Sequence, residues 1–145
     1  MTAKPMDAEF SVAVHALVYL LHTGRITSSE ELADNICTNP ARVRKIMSKL
    51  KKAGYVSAVK GRYSGYQVDE MIRRVTLKQV LIALDEQPVK ENWRSGDIDR
   101  DCQVSSGMGA IMDQVYADMN VACLKHLGKI TIGSVSQEIF QKSGE

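Results

Sequence analysis

Long apolar runs are absent from this sequence. No stretch approaches the roughly 20 residues that a membrane-spanning helix needs, and the opening MTAKPMDAEF lacks the apolar core of a secretion signal, so a soluble, cytoplasmic protein with no membrane partner is expected. Cysteine is scarce and odd in number. Cys37, Cys102 and Cys123 stand at no regular spacing, which argues against a disulfide framework and for reduced thiols. Catalytic signatures are missing too: there is no Gly-rich phosphate loop with Lys, no H-E-x-x-H and no nucleophile elbow. The three histidines have no evident catalytic partners, and no enzyme is expected. Finally, no acidic residue occurs from Arg42 to Arg62.

What is present fits a small globular chain. Its 145 residues, 44% hydrophobic, suffice for one domain with a core, or one domain plus an arm. The net charge of +2 conceals an asymmetry, because residues 1–75 hold 12 Lys or Arg against 7 Asp or Glu, whereas residues 76–145 hold 7 against 10. The basic half is the candidate anion binder.

The stretch from Ile36 to Tyr66 organises the chain. Asn39 is suited to cap a helix and Pro40 to its first position, where no amide hydrogen is required. Val43, Ile46, Met47 and Leu50 recur at helical spacing and define a buried arc, and Gly54 stops the helix. The opposite arc carries Ala41, Lys45, Ser48 and Lys52, flanked by Arg42, Arg44, Lys49 and Lys51. A one-sign surface repels itself unless an anion neutralises it. After the helix, Tyr55–Val59 and Tyr66–Val68 read as strands around the charged loop KGRYSG, so the order is helix, strand, charged loop, strand, that of a winged helix.

Upstream, Asp7 caps a helix to about His22 with Phe10, Val14, Leu17, Val18 and Leu21 as its stripe. Ser28 and Glu31 form a capping box for a short helix, Ser29 to about Ile36, and only the turn CTN separates it from the Pro40 helix. Cys37 in that turn reads as a half-buried packing residue. Downstream, Thr76 caps a helix through Leu77, Val80, Leu81 and Leu84. Pro88 to Asp101 reads as a polar, mobile loop. From Gln103 to about Leu127 a long helix carries Met108, Ile111, Met112, Val115, Met119 and Ala122 near a three-and-four repeat. Such a stripe needs a second surface, which a second copy of the chain or the first helix would supply, and methionine suits an adaptable interface. Gly128 ends this helix and Thr131 caps a last one.

These residues resemble the Rrf-two family of bacterial winged-helix transcription regulators. The likeness is carried by FSVAVHALVYLL, ELADNICTNPARVRKIMSKLKKAGYVSAVKG, the wing ending in Gly65 and Tyr66, TLKQVLIAL, and a cysteine ahead of a long helix. It implies a homodimer formed by the long helix, two winged helices reading a palindromic operator, and an effector signal received in the loop before that helix. The wing departs from the family's G-P-G-G-G-Y, reading Gly61, Arg62, Tyr63, Ser64, Gly65, Tyr66. Members that hold an iron-sulfur cluster carry three cysteines close together in the loop. Here only Cys102 is present, and one thiolate does not hold a cluster, so no cofactor and no metal are expected.

The expected fold is mainly α with a small β wing: a winged helix-turn-helix over residues 1–87, an effector loop over 88–102, and a dimerisation helix with a short last helix over 103–145. The expected function is that of a homodimeric, sequence-specific regulator of double-stranded DNA, a repressor. Asn39, Ala41, Arg44, Lys45 and Ser48 approach base edges, and Arg42, Lys49, Lys52, Lys60 and Arg62 mostly contact phosphates. Ser28, Thr38 and Tyr63 complete the candidate interface. Cys102 is the sensor candidate, since a helix N-terminus favours a thiolate while Asp97, Asp99 and Asp101 oppose it; a plain packing role stays open. The competing reading is a winged-helix protein-interaction module whose basic face meets an acidic partner.

Overall fold

A computed structural model of the chain describes residues 6–142. Helix α1 (Met6–Thr23) is the central rod. Of the expected stripe Leu17, Val18 and Leu21 are buried and Phe10 and Val14 half-buried; Val12, Ala13, Ala16 and Leu20 are buried as well, so α1 is covered around most of its circumference, and alanine at two of these positions lets neighbouring helices approach closely. Helix α2 (Ser29–Ile36) starts where Ser28 Oγ accepts the Glu31 amide at 3.0 Å. The second half of the expected capping box is not formed. The Glu31 carboxylate instead turns to Arg25 and Tyr19, partners that a local motif does not reveal. Cys37 closes α2 in the left-handed conformation, with φ of 68°, and it is exposed rather than packed as expected.

Helix α3 (Pro40–Lys52) is capped by Asn39, whose Oδ1 accepts the Arg42 amide at 2.8 Å. Val43, Ile46, Met47 and Leu50 are its buried residues, the arc read from spacing. Strands β1 (Ser57–Val59) and β2 (Gly65–Gln67) pair antiparallel with Ala58 opposite Tyr66. The hairpin is tied to the body by a bridge in which Thr27 and Tyr66 exchange backbone hydrogen bonds, both of 2.9 Å. A 3₁₀ turn at Glu70–Arg74, not anticipated from the sequence, leads to α4 (Leu77–Ala83), where Thr76 and Gln79 form both halves of a capping box. The architecture is a winged helix-turn-helix, mainly helical with a small two-stranded sheet.

Helix α5 (Gln103–Leu127) is 25 residues long and α6 (Ile132–Lys142) follows it. They go separate ways. α6 packs on α1 and the 3₁₀ turn, and Ile132 is fully buried in the core with Leu17, Leu50 and Leu81. By packing, α6 lies against the winged-helix body, whereas the sequence reading groups it with α5 in residues 103–145. The chain re-enters the body through a clasp: Leu77 N–H donates to Ile130 C=O and Ile132 N–H to Val75 C=O, each at 2.9 Å. α5 packs mainly on α4, and among its residues only Gly109 is buried.

Candidate nucleic-acid interface and sensor segment

The fold presents α3 with its apolar arc inward and Ala41, Arg44, Lys45, Ser48, Lys51 and Lys52 exposed. The side chains differ in their commitments. Arg42, Lys52, Lys60 and Arg62 make no ion pair among the described residues, so they are free cations. Arg44 reaches across to α2, donating from Nη1 to Ser29 Oγ at 3.2 Å and lying 3.6 Å from Glu30 Oε2. Ser28 and Asn39 have committed their side-chain oxygens to helix caps. Asn39 keeps its NH₂ as a donor. Thr38 is half-buried in the turn between α2 and α3.

Lys45 and Lys49 are not free. Lys45 Nζ donates to Glu9 Oε2 and Lys49 Nζ to Glu9 Oε1, each at 3.2 Å, while the Glu9 side chain is only 3% exposed. Sequence reading missed Glu9. A signal exists, because Glu9, Val12, Ala13 and Ala16 fall at i, i+3, i+4 and i+7, and a carboxylate on a buried stripe demands a cationic partner.

The wing closes one side of this surface. Its tip holds Lys60, Arg62 and Tyr63 in solvent, with the Arg62 guanidinium 5.7 Å from the Tyr63 ring centroid. At its base, a β-carbon on Gly65 would stand 2.5 Å from the Thr27 carbonyl oxygen, so only glycine lets β2 approach the turn before α2. A cleft of about 410 Å³ runs between wing and helices, lined by Ser29, Glu30, Arg44, Lys60 and Ser64 among others.

Residues 88–102 carry no regular structure, as expected, yet they are pinned to α5 at three places. Val89 exchanges hydrogen bonds with the Asn120 side chain at 2.8 and 3.0 Å. Arg94 donates to both carboxylate oxygens of Asp113 and lies over Gly109, whose missing side chain makes the room. Asp97 N–H donates to Ser105 C=O at 3.0 Å. These contacts strap the segment to α5. It presents Trp93 and Ile98 outward, 77% and 80% exposed.

Cys102 ends the strap as the N-cap residue of α5 and is exposed. Its thiol makes no capping hydrogen bond. The backbone amides of Ser105 and, less strongly, Val104 at the helix start favour the thiolate and hold its pKa below the ordinary thiol value. Of the two opposing influences read from the sequence, the helix start is the one that moves this thiol. Along α5, Met108, Ile111, Val115 and Met119 are 37%, 62%, 41% and 43% exposed; Ala122 is exposed and Met112 half-buried. Among the described residues, no three His, Cys, Asp or Glu side chains are grouped to hold a metal ion, and no helix is long and apolar enough to cross a membrane.

Comparison with known proteins adds a family. The family model for Rrf2, described as an iron-dependent transcriptional regulator, matches residues 6–138. The Bacillus subtilis (strain 168) protein YwnA, named as an HTH-type transcriptional regulator, is 25% identical over 143 residues, covering 93% of this chain and 99% of its own. A solved transcriptional regulator from Lactobacillus plantarum superposes with a TM-score of 0.75 at 21% identity, over 94% of this chain and 98% of that one. CymR of B. subtilis, described as a global cysteine regulator, superposes with a TM-score of 0.65 at 15% identity, over 95% and 98%. At such identities the two structures share the fold with this chain.

Proposed function

The chain belongs to the Rrf2 family of transcriptional regulators, and from that premise we propose that it is a homodimeric repressor of a palindromic operator with a redox- or electrophile-responsive thiol at Cys102. The observation that carries the DNA contact is the free cationic surface of Arg42, Lys52, Lys60 and Arg62 around an exposed, acid-free helix. A helix of this kind fits the major groove, with the wing tip against the neighbouring backbone. Arg44, held by Ser29 at the edge of α3, is placed to offer its remaining donors to guanine O6 and N7. The homodimer is supported by α5, a 25-residue helix with one buried residue; a second copy is the simplest cover for its exposed stripe. A two-fold dimer of winged helices reads a two-fold site.

An iron-sulfur cluster does not fit the residues present. Such clusters take three or four protein ligands, and Cys102 has no second cysteine in its strap. The effector step is therefore assigned to the thiol itself, which stands exposed and thiolate-favouring at the junction of strap and helix.

The test is an electrophoretic mobility shift with DNA upstream of the protein's own gene, comparing wild type, Arg44→Ala and Cys102→Ser with and without mild peroxide or quinone. Arg44→Ala is expected to cost about 1–3 kcal/mol and to relax one position per half-site. Oxidant is expected to release the wild type and leave the serine variant bound. Absence of binding to any promoter fragment sinks the regulator reading in favour of a protein-interaction module, and equal behaviour of both thiol forms removes Cys102 from the mechanism.

A further inference from the structure

α3 carries six Lys or Arg residues (Arg42, Arg44, Lys45, Lys49, Lys51 and Lys52), yet two of them face a buried carboxylate of another helix. Glu9 receives Lys45 on one oxygen and Lys49 on the other, each at 3.2 Å, with 3% of its side chain exposed. We infer that Glu9 sets the effective charge of the DNA-reading helix, holding Lys45 and Lys49 away from phosphates and so lowering sequence-independent affinity. This inference rests on the reading that α3 docks on DNA.

The exchange that DNA would demand decides the matter. A lysine that left Glu9 for a phosphate would trade a hydrogen-bonded pair with a buried partner for an exposed, salt-screened one. It would also take a hydrogen-bonded cation away from a carboxylate in the interior, which is the costly side of breaking a buried pair. Phosphate therefore does not outcompete Glu9. Because sequence-independent affinity comes almost wholly from phosphate neutralisation, and the genome supplies a great excess of wrong sites, withdrawing two lysines per protomer raises the ratio of specific to non-specific binding. Lys45 and Lys49, assigned from sequence to a base edge and a phosphate, become positioning partners of α1 instead.

The experiment is a fluorescence-anisotropy titration of a random-sequence duplex over a salt series with wild type, E9Q and the triple variant E9Q/K45Q/K49Q, each checked for folding by circular dichroism. Glutamine keeps the shape of Glu9 and removes its charge. In E9Q the slope of log affinity against log salt should steepen by about 0.9 for each lysine recovered per DNA-bound helix, and in the triple variant it should return to the wild-type value. A wild-type slope in E9Q, or a triple variant shallower than wild type, overturns the inference, because the lysines would then already touch phosphate. If E9Q does not fold, the triple variant, which buries no charge at this site, still decides between the two. Failure of the DNA-binding reading shows separately, as a wild type without salt-dependent affinity for any duplex.

Discussion

Gly96 holds a φ of +82° and lies so close to the first turn of α5 that a β-carbon on it would overlap the Ser105 carbonyl oxygen. Both the backbone conformation and the approach require glycine here, since left-handed geometry costs other residues roughly 1–2 kcal/mol and the obstacle is backbone, which does not yield. Gly96→Ala should loosen the strap by about 1–3 kcal/mol, read as faster hydrogen exchange at the Asp97 amide that bonds Ser105. Gly109→Ala should behave differently. Its β-carbon first meets the Arg94 guanidinium, 2.7 Å from Nε, which can swing away, and alanine gains up to about 1 kcal/mol of helix propensity. Its melting temperature should hold or rise while the Arg94–Asp113 pair is lost.

Glu31 gives the fold a defined acid response. Arg25 pairs with it through both oxygens at 3.0 and 2.7 Å and Tyr19 donates to it at 2.7 Å. The bond from Arg25, then that from Tyr19, lower its pKa to about 2. A depressed carboxylate pKa means that the unfolded chain binds the proton more readily. The stabilisation is therefore complete above the unfolded value of about 4.3 and is lost as pH falls toward about 2. In urea denaturation against pH, Glu31→Gln should be less stable than wild type at neutral pH, and the gap should close through this acid window; parallel curves would exclude Glu31 as the titrating group.

Cys102 should alkylate at lower pH than an ordinary thiol. The amides of Ser105 and Val104 hold its pKa down, so the midpoint of its iodoacetamide rate profile is expected below that of an ordinary thiol. Mass mapping of the modified peptide, which separates Cys102 from Cys37 and Cys123, measures it. A midpoint at or above the ordinary value removes the thiolate from the sensor proposal.

Ile111 stands 62% exposed on the stripe of α5. If that stripe is the dimer seam, Ile111→Lys places two new like charges in one two-fold interface and forfeits burial worth about 1.5–3 kcal/mol per side chain. Sedimentation velocity should then show a monomer at concentrations where wild type is dimeric, with a parallel loss of operator affinity. A dimer that survives the change puts the seam elsewhere.

Legibility in the sequence followed the range of the contact. Asn39 with Pro40, Ser28, and Thr76 with Gln79 announced helix starts because a cap is settled within four residues, and the inward arc of α3 followed from periodicity alone. The full length of α5 was legible for the same reason. Glu31 was half legible: its amide obeys the capping rule, but its carboxylate answers to Arg25 and Tyr19 on another element. Glu9 went unread because its partners lie 36 and 40 residues away, and a lone glutamate in a first helical turn also suits the helix dipole. The anchors of the strap, Asn120 and Asp113, went unread because they are ordinary polar residues of α5 that only packing assigns to Val89 and Arg94. α6 was grouped with α5 by adjacency, whereas burial of Ile132 places it in the body.

That last placement bears on how the protein comes into being. Ile132 is buried in the same core as residues of α1, α3 and α4, all earlier in the chain, so the winged-helix body lacks part of its interior until α6 is in place. Domains ordinarily complete from the N-terminus as they emerge. Here α5 precedes α6 in the chain, so the long helix is already made when the winged-helix body becomes whole.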